Sequence, residues 1–309
     1  MNPSYTSLTR RHFLQRLLCL AGYASVPAFA AVRREMGTRP IPASGERIPL
    51  VGMGTWLTFD VGGYPELVSQ RALVLQRFFE LGGGMIDSSP MYGTSEQVVG
   101  ECLQLLGQQH GLFAATKVWT PMRWLGIQQM EQSMKRWELP RFDLMQVHNM
   151  LDWETHLETL KAWKSEGRIR YIGITTSHGR RHAAMEAALQ REPFDFVQLT
   201  YNLLDRKAEE RLLPLAMERG IAVIANRPFR HGDLFDIVEG KPLPPWAGEI
   251  GCDNWAQFFL KFILSHPAVT CAIPATTQVD HMTENMGAGR GELPDETTRG
   301  RMLDYVKSL

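Results

Sequence analysis

The sequence predicts an α/β fold in which eight parallel strands, each followed by a helix, close into a barrel. Short apolar segments alternate with amphipathic stretches of about 10–16 residues along most of the chain. The 309 residues are 44% hydrophobic and 21% charged, which supplies the apolar side chains that a large core needs. Barrels of this kind often exceed about 250 residues as one unit. We therefore predict a (β/α)8 TIM barrel in a single domain.

The apolar segments of this alternation are the eight predicted strands. They comprise residues 48–56, 83–87, 112–119, 142–148, 169–175, 194–201, 221–226 and 269–275. The predicted helices lie at residues 65–81, 95–107, 125–138, 153–166, 179–190, 206–219, 254–265 and 279–287. Strands that alternate with helices are typical of a parallel sheet. An open doubly wound sheet is the alternative, but the first strand ends in G-M-G-T-W and lacks the G-x-G-x-x-G phosphate turn.

Two segments do not fit the alternation. Residues 227–252 form a long insertion after the seventh strand, with Trp246 and four prolines. This insertion either covers a site or is a surface loop without catalytic consequence. Residues 293–309 predict a final helix that starts after Pro294.

The first 30 residues have the pattern of an export signal. Paired arginines, Arg10 and Arg11, precede a weakly apolar stretch, and Ala28-Phe29-Ala30 matches an A-x-A cleavage site. The run T-R-R-H-F-L resembles the twin-arginine signal of proteins that are exported after folding. We expect recognition by the export machinery and a periplasmic or otherwise exported location. A short basic helix at the start of a cytosolic protein is the alternative. The predicted ranges are a signal at 1–30, a linker at 31–46, and the barrel with its final helix at 47–309.

Charge and hydropathy exclude two classes of partner. The formal net charge is zero and no basic stripe is present, so a nucleic-acid surface is not indicated. No other segment has 18 consecutive apolar residues, so we expect no membrane span in the mature chain. The cysteines are widely spaced in no metal-binding pattern, and we predict no metal site.

Polar residues stand at the ends of consecutive predicted strands. Barrels of this type carry out chemistry at the C-terminal ends of their strands. Asp87, Lys117 and His148 end strands two, three and four, and Tyr92 follows in the loop after Asp87. Each has a simpler interpretation alone: a helix cap for Asp87, a solvated strand end for Lys117, a buried histidine for His148 and packing for Tyr92. Because all four belong to one rim, we predict a catalytic site there.

The order and spacing of several motifs resemble the aldo/keto reductase family over residues 46–290. The resemblance rests on IPLVGMGTW, IDSSPMYGTSEQVVGECL, ATKVW, DLMQVHN, GRIRYIGITT, FVQLTYNLLDR and AIPATTQVDHMTENMGA. It implies hydride transfer between a nicotinamide cofactor and a small aldehyde or ketone.

The resemblance also implies the roles of the four rim residues. Tyr92 would be the proton donor, and the Lys117 ammonium would lower the pKa of its phenol. Asp87 would keep Lys117 charged and in place. His148 would hydrogen-bond the substrate oxygen and orient the carbonyl.

Cofactor positions carry over from the family in the same way, with NADP as the implied cofactor and NAD as the alternative. Three positions depart from the pattern near the nicotinamide: Asn226 and Arg227 replace the usual stacking aromatic ring, and Thr176 replaces the usual asparagine. Ala275 and His281 stand where basic residues often hold the 2′-phosphate, which prefers arginine or lysine. The implied contacts are Gly54, Thr55, Trp56, Thr175, Thr176 and Gln198 near the nicotinamide, and Ile273, Pro274, Thr276, Thr277, Gln278, Glu284 and Asn285 near the adenosine phosphate.

Three functions are therefore considered. The first is an exported aldo/keto reductase that reduces a small carbonyl compound. The second is an exported barrel that binds a ligand without hydride-transfer turnover. The third is a cytosolic enzyme whose first residues only resemble a signal.

Overall fold

A parallel eight-stranded sheet organises the computed structural model, which describes residues 35–107 and 111–309. The predicted signal at 1–30 lies outside the described residues. Each barrel strand pairs in parallel with the next one along the chain. The barrel strands are β3 (Met53–Gly54), β4 (Met85–Asp87), β5 (Phe113–Val118), β6 (Phe142–Val147), β7 (Ile169–Thr175), β8 (Phe196–Thr200), β9 (Ala222–Asn226) and β10 (Val269–Ala272).

The first and last strands close the barrel through a short set of backbone contacts. Val51 forms a parallel bridge with Ala272. The N–H of Gly52 donates to the Ala272 carbonyl at 2.9 Å, and the N–H of Gly54 donates to the Pro274 carbonyl at 3.0 Å. The predicted (β/α)8 barrel is therefore confirmed.

Helices follow the strands in the predicted order. The segment predicted as one helix at 206–219 is interrupted, since a 3-10 turn at Lys207–Glu210 precedes a separate helix. The ring of Pro214 would clash with the Glu210 carbonyl in a continuous helix, which explains the break. The helices are α1 (Pro65–Glu80), α2 (Ser95–Leu106), α3 (Arg123–Trp137), α4 (Trp153–Ser165), α5 (His182–Arg191), α6 (Leu212–Arg219), α7 (Asp233–Ile237), α8 (Trp255–Leu264), α9 (Val279–Gly287) and α10 (Glu296–Lys307).

A hairpin forms the floor of the barrel. Strand β1 (Thr38–Pro40) pairs antiparallel with β2 (Arg47–Pro49). Ile41, between them, is fully buried against inward-facing side chains of the barrel strands. Residues 38–46 of this hairpin fall within the range predicted as a linker, 31–46, and differ from a linker because Ile41 belongs to the core.

Alternation along the strands separates the barrel interior from the layer under the helices. In β5, Phe113 and Ala115 belong to the interior cluster, whereas Ala114 and Val118 pack in the outer layer. Successive strand side chains point to opposite faces, so the next inward position is Lys117. The interior is therefore apolar towards the floor and polar at the C-terminal rim.

In the described part of the chain, none of the helices combines the length and the apolar character that a membrane crossing needs.

Candidate active site

A buried ion pair lies at the C-terminal end of the barrel interior. Lys117 is the last inward-facing residue of β5 and is 0% exposed. Asp87 is the last residue of β4 and is 2% exposed. Lys117 Nζ donates to Asp87 Oδ2 at 2.5 Å and to the Ser88 carbonyl at 2.6 Å. Buried charges persist when they are paired and hydrogen-bonded, as they are in this pair.

Two glutamines hold the other oxygen of the aspartate. Asp87 Oδ1 accepts hydrogen bonds from Gln146 Nε2 and Gln198 Nε2, both at 2.9 Å. The family resemblance implies that Gln198 contacts the carboxamide of the cofactor. In this structure its amide group donates a hydrogen bond to Asp87. Gln146 was missed, although it precedes His148 by two residues and therefore points to the same side of β6.

The phenol of Tyr92 meets this ion pair from the loop after β4. The Lys117 Nζ lies 5.2 Å from the centroid of the Tyr92 ring. The rings of Tyr92 and His148 meet edge to face, with centroids 5.7 Å apart. The four residues predicted from the strand ends are therefore brought together.

The pKa of Tyr92 is raised above its ordinary value, although Lys117 lowers it as expected. Burial disfavours the phenolate and is the largest cause, Lys117 lowers the pKa, and the Asp87 charge raises it. The expected effect of Lys117 is therefore present, but the loss of hydration, which the expectation did not include, outweighs it. Tyr92 therefore keeps its proton at neutral pH.

The neighbouring side chains have defined charge states. Burial lowers the pKa of Lys117, but the Asp87 carboxylate and Tyr92 raise it by more, so the net shift is upward and the ammonium persists. Burial and the nearby Lys117 lower the pKa of His148 to about 2, so its imidazole is neutral. His148 Nδ1 lies 2.9 Å from Ser89 Oγ.

A cavity of about 560 Å³ opens above these residues at the C-terminal rim. Lys117 lies beneath it, fully buried. The predicted residues that line the cavity are Gly54, Thr55, Trp56, Asp87, Tyr92, His148, Thr175, Thr176, Gln198, Asn226, Arg227 and Ile273.

The two threonines at the end of β7, Thr175 and Thr176, already have hydrogen-bond partners in the loops. Thr175 Oγ1 accepts from the Asn149 N–H at 2.9 Å, and Thr176 Oγ1 donates to the Arg180 carbonyl at 2.7 Å. Asn226 Nδ2 donates to the Thr176 carbonyl at 2.9 Å. The rim above the ion pair is therefore hydrogen-bonded in a fixed arrangement.

Among the positions implied for the adenosine phosphate, Ile273 and Ala275 line the cavity. The others stand outside it, just before α9 and within that helix. A helix N-terminus favours anions because its N–H groups lack partners within the helix. Thr276 Oγ1 accepts from the Gln278 N–H at 3.1 Å, which orders the entry to this helix. Thr277, Gln278 and His281 are exposed; Glu284 is half-buried; Pro274, Thr276 and Asn285 are buried.

The start of the insertion at 227–252 covers one side of the cavity. Arg227 Nη1 contacts His178 Nε2 at 2.6 Å and also contacts His231 Nε2. The His231 ring packs edge-on against Trp56, with centroids 4.5 Å apart. Phe229 and His231 line the cavity, so this part of the insertion belongs to the site.

His178 and His231 are rim residues that the sequence did not single out. Burial and the Arg227 charge lower the pKa of both imidazoles. Each ring is therefore neutral and accepts a hydrogen bond from the guanidinium. They come from loops after β7 and β9, whose conformations no periodic pattern encodes. Within residues 35–107 and 111–309, no group of three or more His, Cys, Asp or Glu side chains could hold a metal ion.

Comparison with known proteins agrees with this geometry. Residues 50–299 match the Aldo/keto reductase family. The chain therefore belongs to this family of oxidoreductases.

Individual relatives are distant but extend over most of the chain. The oxidoreductase YqkF of Bacillus subtilis (strain 168) is 22% identical over 317 residues, which covers 89% of this chain and 96% of YqkF. The oxidoreductase C215.11c of Schizosaccharomyces pombe is 28% identical over 265 residues, which covers 80% of this chain and 83% of C215.11c. A crystal structure of an aldo-keto reductase from Klebsiella pneumoniae in complex with NADPH superimposes with a TM-score of 0.72 at 22% identity, over 88% of this chain and 95% of that one.

Proposed function

We propose that this protein uses NADPH to reduce a small aldehyde or ketone, with Tyr92 as the proton donor. The observation that carries the proposal is the convergence of Tyr92, Lys117 and His148 at one cavity, with Asp87 against Lys117. The family of the chain supports the reaction class, and the NADPH complex of the Klebsiella pneumoniae protein supports the cofactor.

Each residue contributes one step or interaction. When bound, NADPH supplies the hydride. The Tyr92 hydroxyl donates its proton to the carbonyl oxygen, and the Lys117 ammonium stabilises the phenolate that remains. Asp87 keeps the ammonium in place, and the neutral His148 donates a hydrogen bond that orients the carbonyl.

The site residues fit an anionic dinucleotide on one side and leave the choice of cofactor open on the other. Arg227 lines the cavity, and its guanidinium supplies a positive charge there that suits an anion. Ala275 and the exposed His281 provide no arginine or lysine for a 2′-phosphate. NADH is therefore the alternative cofactor.

Cofactor binding is the first test. We expect saturable quenching of tryptophan emission on titration with NADPH, and a parallel titration with NADH gives the preference. Trp56 lines the cavity, so Trp56→Phe should reduce the quenching amplitude and serves as a control for its origin. A folded protein that binds neither cofactor would contradict the proposal and favour a barrel that binds a ligand without turnover.

Carbonyl reduction is the second test, with a matched pair of variants. Tyr92→Phe should lower kcat by about 100-fold or more, because a positioned general acid typically contributes this much, and should leave cofactor affinity unchanged. Tyr64→Phe removes the same hydroxyl from an exposed tyrosine away from the cavity and should retain full activity. Equal activities of the two variants would remove Tyr92 from the mechanism.

We further propose that the protein is exported with residues 1–30 as a twin-arginine-type signal. The paired arginines and the A-x-A site support this proposal. Export after folding would allow the cofactor to be loaded first, and we expect it to be retained tightly. Sequencing the N-terminus of the protein from fractionated cells tests the signal: a cytosolic protein that starts at Met1 would support the cytosolic alternative.

A further inference from the structure

Ser89 contacts the histidine of the site and does not itself line the cavity. Its hydroxyl is fully buried and lies 2.9 Å from His148 Nδ1. The only other polar contact of this hydroxyl among the described residues comes from the Met91 N–H, at 3.2 Å. Because the N–H of Met91 can only donate, Ser89 Oγ accepts there and still has its own proton to place.

The direction of the serine–histidine hydrogen bond follows from counting protons. If His148 Nδ1 carried the imidazole proton, Ser89 Oγ would accept twice, and its buried O–H would have no acceptor within the described part of the chain. Leaving a buried hydroxyl without an acceptor is unfavourable. If Ser89 donates to Nδ1 instead, the serine hydroxyl and Nδ1 are both satisfied, and the imidazole proton resides on Nε2.

The opposite edge of the ring is the one that faces a ligand. His148 lines the cavity, and its Nε2 has no protein partner among the residues that the structure describes. A neutral imidazole has one donor and one acceptor nitrogen, and the hydrogen bond made by one nitrogen determines the role of the other.

We propose that Ser89 is a positioning residue that holds His148 in the Nε2–H tautomer, so that this nitrogen donates to the substrate carbonyl oxygen. This inference rests on the proposed carbonyl reduction for its purpose but on the Ser89 contacts for its geometry. In the Nε2–H tautomer, His148 donates a hydrogen bond as a neutral ring. It therefore carries no charge beside the Lys117 ammonium.

The local sequence supports a fixed position for the serine. Pro90 follows Ser89 and disfavours the helical conformation at the residue before it. The Tyr92 N–H donates to the Ser89 carbonyl at 2.9 Å, which ties the serine to the loop that carries the proton donor. Ser89 therefore connects the two residues that would touch the carbonyl oxygen.

The tautomer can be measured without any substrate. In the full-chain protein labelled with 15N-histidine, NMR correlation of ring nitrogens and protons distinguishes a protonated nitrogen from an acceptor one. His148→Gln identifies the resonances of His148. We expect a protonated Nε2 and an unprotonated Nδ1 at pH 7.5; a protonated Nδ1 would overturn the proposal.

Kinetics test the consequence with a rescue and a matched control. Ser89→Ala should lower kcat/KM for the carbonyl about 10-fold, the equivalent of one lost hydrogen bond of about 1.4 kcal/mol, with the Kd of NADPH unchanged. Ser89→Thr keeps a hydroxyl and should recover most of this loss. Ser133→Ala removes a buried hydroxyl that bonds Glu96 instead and should retain activity.

The two proposals fail separately. If the protein reduces no carbonyl compound but the Nε2–H tautomer is present and lost in Ser89→Ala, the positioning role stands and the reductase proposal falls. If carbonyl reduction proceeds and Ser89→Ala changes neither the tautomer nor kcat/KM, the positioning role is refuted.

Discussion

Lys117→Met should lower the free energy of unfolding by about 3–5 kcal/mol, because it leaves the buried Asp87 carboxylate without its cation. The two groups are 2.5 Å apart and almost completely shielded from water. At an effective dielectric constant of about 20, two charges about 4 Å apart attract by about 4 kcal/mol, which agrees with this range. The hydrogen bonds from Gln146 and Gln198 remain but carry no net charge.

Equilibrium unfolding in urea at pH 7.5, followed by circular dichroism, measures this loss. Lys307→Met is the matched control, since Lys307 pairs with Asp304 at 3.6 Å and the two side chains are 65% and 81% exposed. An exposed pair contributes at most about 1 kcal/mol, so the control should be nearly neutral. Asp87→Asn combined with Lys117→Met restores neutrality and should cost at least about 2 kcal/mol less than the sum of the single variants. Equal losses for the two lysine variants, together with strict additivity in the double variant, would refute the reasoning.

Three further predictions concern residues around the site and the outer helices. Gly100→Ala should destabilise the protein by about 3 kcal/mol, because a Cβ there would meet the Arg136 carbonyl at 1.9 Å. Gly300→Ala has open space around it in α10 and should stabilise the protein by about 0.5–1 kcal/mol. Urea unfolding compares the two variants. The folded-state pKa of His148, about 2, lies below its unfolded value of 6.5, so its contribution to stability is lost as pH falls below about 6.5. Between pH 7.5 and 5.5 the wild type should therefore lose about 1 kcal/mol more unfolding free energy than His148→Gln, and parallel slopes would contradict this. Glu96 accepts hydrogen bonds from Thr116 and Ser133 in the interior, so Glu96→Ala, which leaves both hydroxyls without this acceptor, should cost more unfolding free energy than Glu96→Gln by the same assay.

The fold was predictable because the sequence alternates strands and helices in a regular pattern. Strand and helix lengths repeat along the chain, and the residue that ends each apolar segment falls at the same rim of a parallel barrel. Asp87, Lys117 and His148 were therefore located from their positions alone. Tyr92 was located by its place in the loop directly after Asp87, together with the family resemblance.

The properties that depend on solvation and loop conformation were not predictable. The raised pKa of Tyr92 results from burial by segments that meet only in the folded chain. The contacts of Arg227 with His178 and His231 depend on two loops without periodic sequence. The pairing of β1 with β2 was missed because three-residue strands are too short to show alternation.

The closure of the barrel has a consequence for how the chain folds. Val51 and Ala272 are joined although they lie about 220 residues apart, and contacts between such distant positions form late because a long loop must close first. During synthesis, β3 emerges early and its free edge has no partner until β10 leaves the ribosome. An unpaired strand edge is a template for wrong pairing, so chains that stop before β10 should aggregate more readily than the complete chain.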